Sequence, residues 1–118
     1  MNLNARSNAR NQDFSVFTSR IDTADLGPLI ESSLPDQGHI EVRRDVPGKH
    51  HSQHDSETDE TLIVLAGHLL CYWDSGETIA GTGSVVAFPA GFTYGTVALD
   101  EGATYLIVFD QMKMPFDG

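Results

Sequence analysis

The sequence predicts an all-β domain, a sandwich or barrel of roughly seven short strands. Strand-like apolar runs recur along the chain and are separated by turn sequences at short, regular intervals. No stretch indicates a helix of more than one or two turns. The length of 118 residues and the hydrophobic content of 40% fit a single domain with a single core.

The N-terminal part of the chain is predicted to be an arm rather than part of the barrel. Its first 12 residues include four asparagines and show no apolar periodicity, so residues 1–20 are expected to be partly disordered or exchanged with a second copy. Phe14 and Phe17 predict a short strand that adds to the partner's sheet. Residues 21–118 then form the folded domain, with one helical turn expected after Pro28.

The strands follow from apolar runs bounded by turns. We predict them at His39–Val46, Leu62–Ala66, Leu69–Trp73, Thr78–Ala80, Ser84–Phe88, Phe92–Leu99 and Thr104–Phe109. Because the second of these runs is apolar throughout, both of its faces should be buried. Gly67 is expected to end that strand, and Asp100-Glu101-Gly102 predicts a hairpin between the last two strands.

Charge and cysteine content exclude several classes of protein. The formal net charge of −10 repels phosphate backbones, so nucleic acid is not an expected partner. No apolar segment approaches the ~20 residues that span a bilayer, and the N-terminus lacks the apolar core of a secretory signal. The single Cys71 excludes a disulfide framework within the chain. A cytoplasmic protein without a membrane partner is the default expectation.

One polar run carries most of the chemistry. The segment Lys49–His68 holds imidazoles and carboxylates just before and at the start of an apolar strand, namely His50, His51, His54, Asp55, Glu57, Asp59 and Glu60. Nitrogen and oxygen donors at the mouth of a rigid strand are what a mixed metal site requires. The alternative interpretation is an exposed acidic loop whose histidines are neighbours by chance.

Two spaced patterns resemble the paired motifs of the cupins. Glu60 and Gly67 have the spacing of the second half of the first cupin motif, and Gly83, Pro89 and Gly91 that of the core of the second. The resemblance covers residues 38–109. It implies a small single-domain cupin, whose fold is a double-stranded β-helix, the cupin jelly-roll barrel.

The resemblance also implies ligand positions inside that barrel. Cupins place there two histidines of an H-x-H pair, a glutamate and a later histidine, and Glu60 matches the glutamate. Ser52 stands two residues before His54, so the nearest partner imidazole is His51. A bulge of one extra residue would turn both imidazoles inward and leave His50 outside. Alternatively, the insertion has dismantled the pair.

The later histidine of the family is replaced here by Tyr94. A phenol has an ordinary pKa of about 10, so Tyr94 is a phenolate ligand, a proton donor, or a buried tyrosine with a satisfied hydroxyl. With His51, His54 and Glu60 it forms the predicted ligand set for a divalent ion such as Fe, Zn, Mn or Ni. Glu60 and Tyr94 are also the predicted catalytic residues.

Two functional hypotheses follow from the resemblance. The favoured one is a metal-dependent enzyme of the oxygenase, isomerase, cyclase or lyase type that acts on a small polar metabolite. The other is a binding or accessory module without a functional metal. Both predict a small-molecule substrate or ligand and a homodimer, and the fold alone does not choose between them.

Overall fold

The computed structural model describes residues 16–20 and 26–110. In chain order the elements are β1 (Phe17–Arg20), α1 (Leu26–Ser33), β2 (Gly38–Asp45), β3 (His50–Asp55), β4 (Glu60–Trp73), β5 (Gly76–Gly81), β6 (Ser84–Phe88) and β7 (Thr93–Asp110). The all-β prediction is confirmed. Within these residues no helix is long and apolar enough to cross a membrane.

The two longest strands, β4 and β7, bend and give the barrel its two walls. The first wall has the order β1-β6-β4-β7-β2 and uses the N-terminal half of β4 and the C-terminal half of β7. The second wall is built from β5, the C-terminal half of β4, the N-terminal half of β7, and β3. All the strand pairs are antiparallel, as expected for a jelly roll.

The bend depends on two glycines that touch. Gly67 in β4 has φ +80° and Gly102 in β7 has φ +74°, backbone conformations that favour glycine. A Cβ atom on Gly67 would overlap the carbonyl oxygen of Gly102. The pairing of β4 with β7 shifts register on either side of Gly67. The predicted strand end at Gly67 and the predicted hairpin at residues 100–102 are therefore wrong, because both lie inside continuous strands.

The core has two parts, one between the two walls and one on the outer face of the first wall. Inward side chains of both walls form the main cluster: Leu62, Val64, Leu69, Cys71, Trp73, Ala80, Val86, Phe88, Tyr94, Ala98, Ala103, Tyr105 and Ile107. Ile63 and Leu106 belong to a second cluster on the outer face of the first wall, where Ile30 of α1 packs against them. Both faces of the first half of β4 are thus buried, as predicted. Helix α1 is longer than the predicted single turn and begins before Pro28.

Strand β1 pairs with β6 of the same chain, with Phe17 opposite Ala87. It therefore extends the first wall of its own barrel. Residues 1–15, including Phe14, lie outside the described residues, as does the C-terminal segment 111–118. The exchange of the arm with a second copy, and the homodimer, remain predictions.

We predict that Gly67→Ala destabilises the barrel much more than Gly48→Ala. Both glycines have positive φ, and a side chain in that conformation costs about 1–2 kcal/mol. A Cβ at Gly48 meets nothing within 4 Å, whereas a Cβ at Gly67 meets backbone that cannot move aside. Urea denaturation should show a loss of about 1 kcal/mol for Gly48→Ala and at least twice that for Gly67→Ala. Equal losses would show that the Gly67–Gly102 contact does not control the bend.

Candidate functional site

The polar run around the histidines is a strand, β3, and it contains a bulge. His51 pairs with Thr96 of β7 and His54 pairs with Tyr94, so three steps along β3 match two along β7. Thr96 and Tyr94 are both buried. Because directly paired residues share a face of an antiparallel sheet, His51 and His54 lie on the same inner face. The one-residue bulge expected from the sequence is therefore present.

Glu60 and Tyr94 form a buried pair at the start of β4. Glu60 is 3% exposed and accepts a hydrogen bond from the Tyr94 hydroxyl. The ring of Tyr94 stacks on Phe88, with the centroids 3.8 Å apart and the planes at 6°. Burial, and then the hydrogen bond and charge of Glu60, raise the pKa of Tyr94 far above its ordinary value. Tyr94 therefore holds its proton and donates it in the hydrogen bond to Glu60.

His54 lies beside this pair at the open end of the barrel. Its ring centroid is 5.1 Å from that of Tyr94, with the planes tilted by 47°. The side chain is exposed, and its Nδ1 is 3.5 Å from the backbone oxygen of Ser52. His50 lies on the other face, where its Nε2 is 2.5 Å from the hydroxyl oxygen of Tyr72. His50 thus lies on the face opposite the candidate site.

His51 contacts a carboxylate that the sequence did not single out. Its Nε2 is 3.0 Å from Oδ2 of Asp45, the last residue of β2. The same oxygen accepts a hydrogen bond of 2.7 Å from the Tyr105 hydroxyl. The Asp45 side chain is only 9% exposed. His51 is therefore held by Asp45 within the inner face.

Strand β2 turns three of its four charged residues inward. Its alternation separates the charged set Glu41, Arg43 and Asp45 from Ile40 and Val42. The charged residues pair with members of the main core, and the two apolar residues pair with members of the outer cluster; the pairs are Glu41–Ile107, Arg43–Tyr105, Asp45–Ala103, Ile40–Val108 and Val42–Leu106. The inner surface of β2 is thus a row of charges.

The charges of this row are partly compensated. Arg43 donates from Nε to Oε2 of Glu41 over 2.5 Å. Burial by itself lowers the pKa of Arg43, but contacts with Glu41 and the Tyr105 hydroxyl raise it above its ordinary value, so Arg43 stays charged. Burial raises the pKa of Tyr105 to about 12, with Asp45 adding to the effect and Arg43 and Thr96 opposing it. Tyr105 therefore also keeps its proton.

The predicted metal ligands do not fit a metal ion as they lie. Among the described residues, no three His, Cys, Asp or Glu side chains are grouped closely enough to hold one. The Tyr94 hydroxyl donates to Glu60, and His51 is turned to Asp45. Of the four side chains, His54 alone makes no hydrogen bond to another side chain of the described residues. The assignment of His51, His54, Glu60 and Tyr94 as ligands remains a prediction.

A signal for the inner row was visible in the sequence. Charged side chains occupy the alternate positions 41, 43 and 45 of the strand, in addition to Arg44, which places Glu41, Arg43 and Asp45 on one face. The usual inference from alternation turns Ile40 and Val42 inward, and the structure reverses it.

The bent two-walled barrel, with its paired glutamate and its inward histidines, has the fold of a small cupin domain. No protein-family model matches this sequence, and no curated protein matches it at a significant level. Comparison with solved structures supplies the similarity instead.

Three solved structures illustrate the similarity. A cupin superfamily protein from Desulfitobacterium hafniense is 13% identical with a TM-score of 0.58, and the match covers 84% of this chain and 81% of that one. KdgF from a Halomonas species is 13% identical with a TM-score of 0.60, covering 86% and 82%. A protein of unknown function from Rhizobium leguminosarum is 27% identical with a TM-score of 0.56, covering 78% and 95%. These similarities support the fold and leave the activity open.

We predict that Tyr94→Phe lowers the free energy of unfolding by about 1–3 kcal/mol, because Glu60 then stays buried without its donor. Adding Glu60→Leu should recover most of this loss, since an apolar pair removes the unpaired carboxylate. Tyr72→Phe is the matched control and should cost about 0.5 kcal/mol or less, because its hydroxyl contacts only the exposed His50. The measurement is urea denaturation at neutral pH. Equal effects of Tyr94→Phe and Tyr72→Phe would show that the Glu60–Tyr94 bond is not structural.

Proposed function

We propose that this chain binds a small polar molecule inside its barrel and needs no metal to do so. The observation that supports the proposal is the inward row of charges on β2. Glu41, Arg43 and Asp45 occupy positions on the inner face that an ordinary barrel fills with apolar side chains.

This orientation is costly for stability alone. A shift of β2 by one residue would exchange its faces and turn Ile40 and Val42 into the core. Instead, Val42 is 66% exposed while Arg43 and Asp45 are largely withdrawn from water. Burying charges costs free energy that their pairing only partly returns. A row of charges kept inside at this cost is explained by the chemistry it offers to a ligand.

The interior is open to solvent where these charges lie. The side chains of Arg43 and Glu41 are 23% and 42% exposed. His54 is exposed on the inner face of the second wall. Strands rather than loops carry these groups, so their positions are fixed before a ligand arrives. In this function the closed Glu60–Tyr94 pair supports the wall and does not react.

We predict that ligand binding changes the fluorescence of Trp73, which is the only tryptophan of the chain. It is 6% exposed and packs edge-on against Phe88 and Phe92 in the barrel interior. A panel of small acids, amines, zwitterions and sugars is screened by saturation-transfer NMR, and hits are titrated by fluorescence. Replacing the row by Glu41→Gln, Arg43→Met and Asp45→Asn should weaken binding by about tenfold or more.

The control for this experiment is Arg44→Met, which removes a cation from the exposed outer face of the same strand. It should leave the affinity unchanged. If no compound of the panel binds, or if the triple variant binds as well as the native chain, the proposed function is refuted.

The metal-dependent enzyme is the second candidate, and the bulge of β3 favours it. The bulge places His51 and His54 on the inner face of the second wall, with His54 beside the Glu60–Tyr94 pair. To bind a metal, His51 would have to leave Asp45, and Glu60 would have to release the Tyr94 hydroxyl. The measured quantity that decides this candidate is metal affinity.

We predict for this second candidate that tag-free protein takes up one Zn²⁺ in equilibrium dialysis with elemental analysis. His51→Ala and His54→Ala should each lower the affinity by about tenfold or more. His50→Ala is the control, because that side chain lies on the other face. Zn²⁺ uptake well below one per chain, or equal affinities in all three variants, would eliminate the candidate and leave the metal-free proposal.

A further inference from the structure

We infer that the barrel interior contains a carboxylate-binding subsite formed by Arg43 and Thr96. The inference rests on the proposed function and names the chemical class of its ligand. Arg43 belongs to β2 of the first wall, and Thr96 belongs to β7 of the second wall. The subsite therefore lies between the two walls.

Arg43 offers more hydrogen-bond donors than its neighbours use. A guanidinium has five N–H donors, and within the described residues one of them, on Nε, is bonded to Glu41. The guanidinium also lies against the Tyr105 hydroxyl, which itself donates to Asp45. The remaining N–H groups of a side chain that is 23% exposed are available to a ligand inside the barrel.

Thr96 supplies a second, independent indication. It is 2% exposed, and its Oγ1 makes no hydrogen bond to any described residue. A buried hydroxyl without a partner costs about 1–3 kcal/mol, so such atoms in native proteins call for an explanation. Thr96 pairs with His51, Arg43 pairs with Tyr105, and His51 and Tyr105 both contact Oδ2 of Asp45, so Thr96 and Arg43 face the same part of the interior. An acceptor atom of a ligand would satisfy this orphan donor.

Two carboxylate oxygens at this place are engaged. Oδ2 of Asp45 receives both the Tyr105 hydroxyl and the imidazole of His51, and Oε2 of Glu41 receives Nε of Arg43. The guanidinium still has N–H donors that these bonds do not use. An anion is the complementary ligand, and a planar carboxylate fits the guanidinium fork with two parallel bonds. A phosphate dianion would bring a second negative charge close to Glu41 and Asp45 in a chain of net charge −10.

Glu41 occupies the place that the ligand carboxylate would take. It is bonded to Arg43 over 2.5 Å, yet its side chain is 42% exposed, so it can leave toward water. It is therefore an internal competitor for the guanidinium. Removing its charge should strengthen the binding of an external carboxylate, an effect that misfolding cannot produce.

The test uses butyrate as the probe, butyramide as its uncharged isostere and inorganic phosphate as the competing anion, in NMR titrations of the full chain. We predict that butyrate binds and that butyramide and phosphate bind at least about tenfold more weakly. Arg43→Met should weaken butyrate binding by about tenfold or more, and Thr96→Val should weaken it several-fold. Glu41→Gln should tighten it several-fold. Arg44→Met is the matched control and should change nothing.

The outcomes separate the inference from the proposed function. Equal binding of butyrate and butyramide, preference for phosphate, equal effects of Arg43→Met and Arg44→Met, or weaker binding in Glu41→Gln would each overturn the subsite. If butyrate fails to bind while an uncharged or cationic compound of the panel binds, the subsite is refuted and the proposed function stands. If nothing binds, both are refuted. Circular dichroism of each variant identifies losses that come from unfolding.

Discussion

The contact between Gly67 and Gly102 is the constraint on which the arrangement of the interior depends. Strands β2 and β3 both pair with β7, β2 along residues 103–110 and β3 along residues 93–97. The two partners follow one another along β7 and are joined by residues 46–49. Because β7 bends at Gly102 against Gly67, Asp45 at the end of β2 and His51 near the start of β3 face the same interior, and Asp45 reaches His51. The geometry of the site is thus set by backbone that carries no functional side chain.

Much of the fold could be predicted because its signals are local. Strand Ser84–Phe88 has the bounds that its apolar run indicates, and the burial of both faces of the first half of β4 follows from its composition. The continuity of β4 and β7 could not be predicted in the same way. A glycine within a strand pattern predicts that the strand ends there. Whether the chain turns back or only bends depends on the pairing with the partner strand.

Some features of the candidate site could likewise be predicted from the sequence and others could not. The bulge between His51 and His54 was predictable from the resemblance, because the H-x-H spacing of the cupins is lengthened here by one residue. The bond from Tyr94 to Glu60 was not, because it joins residues far apart in sequence across the two walls. The row that includes Arg43 and Asp45 was missed for another reason. In most strands the apolar residues face the interior because their burial is stabilising, whereas in β2 the charged residues face the interior.

The Glu60–Tyr94 pair and the polar groups around Arg43 differ in how completely their hydrogen bonds are satisfied. That difference indicates where a ligand would bind. At Glu60, a single buried carboxylate meets a single buried hydroxyl among stacked aromatic rings, and the pair is closed. At Arg43, a guanidinium with five N–H donors is bonded through Nε to Glu41, and one buried hydroxyl, that of Thr96, has no hydrogen-bond partner among the described residues. A closed pair gains little from a new group, since any ligand must first break a buried bond. An N–H donor that is free gains a bond from an acceptor of a ligand without a buried bond being broken, and this difference supports the proposed ligand site around Arg43.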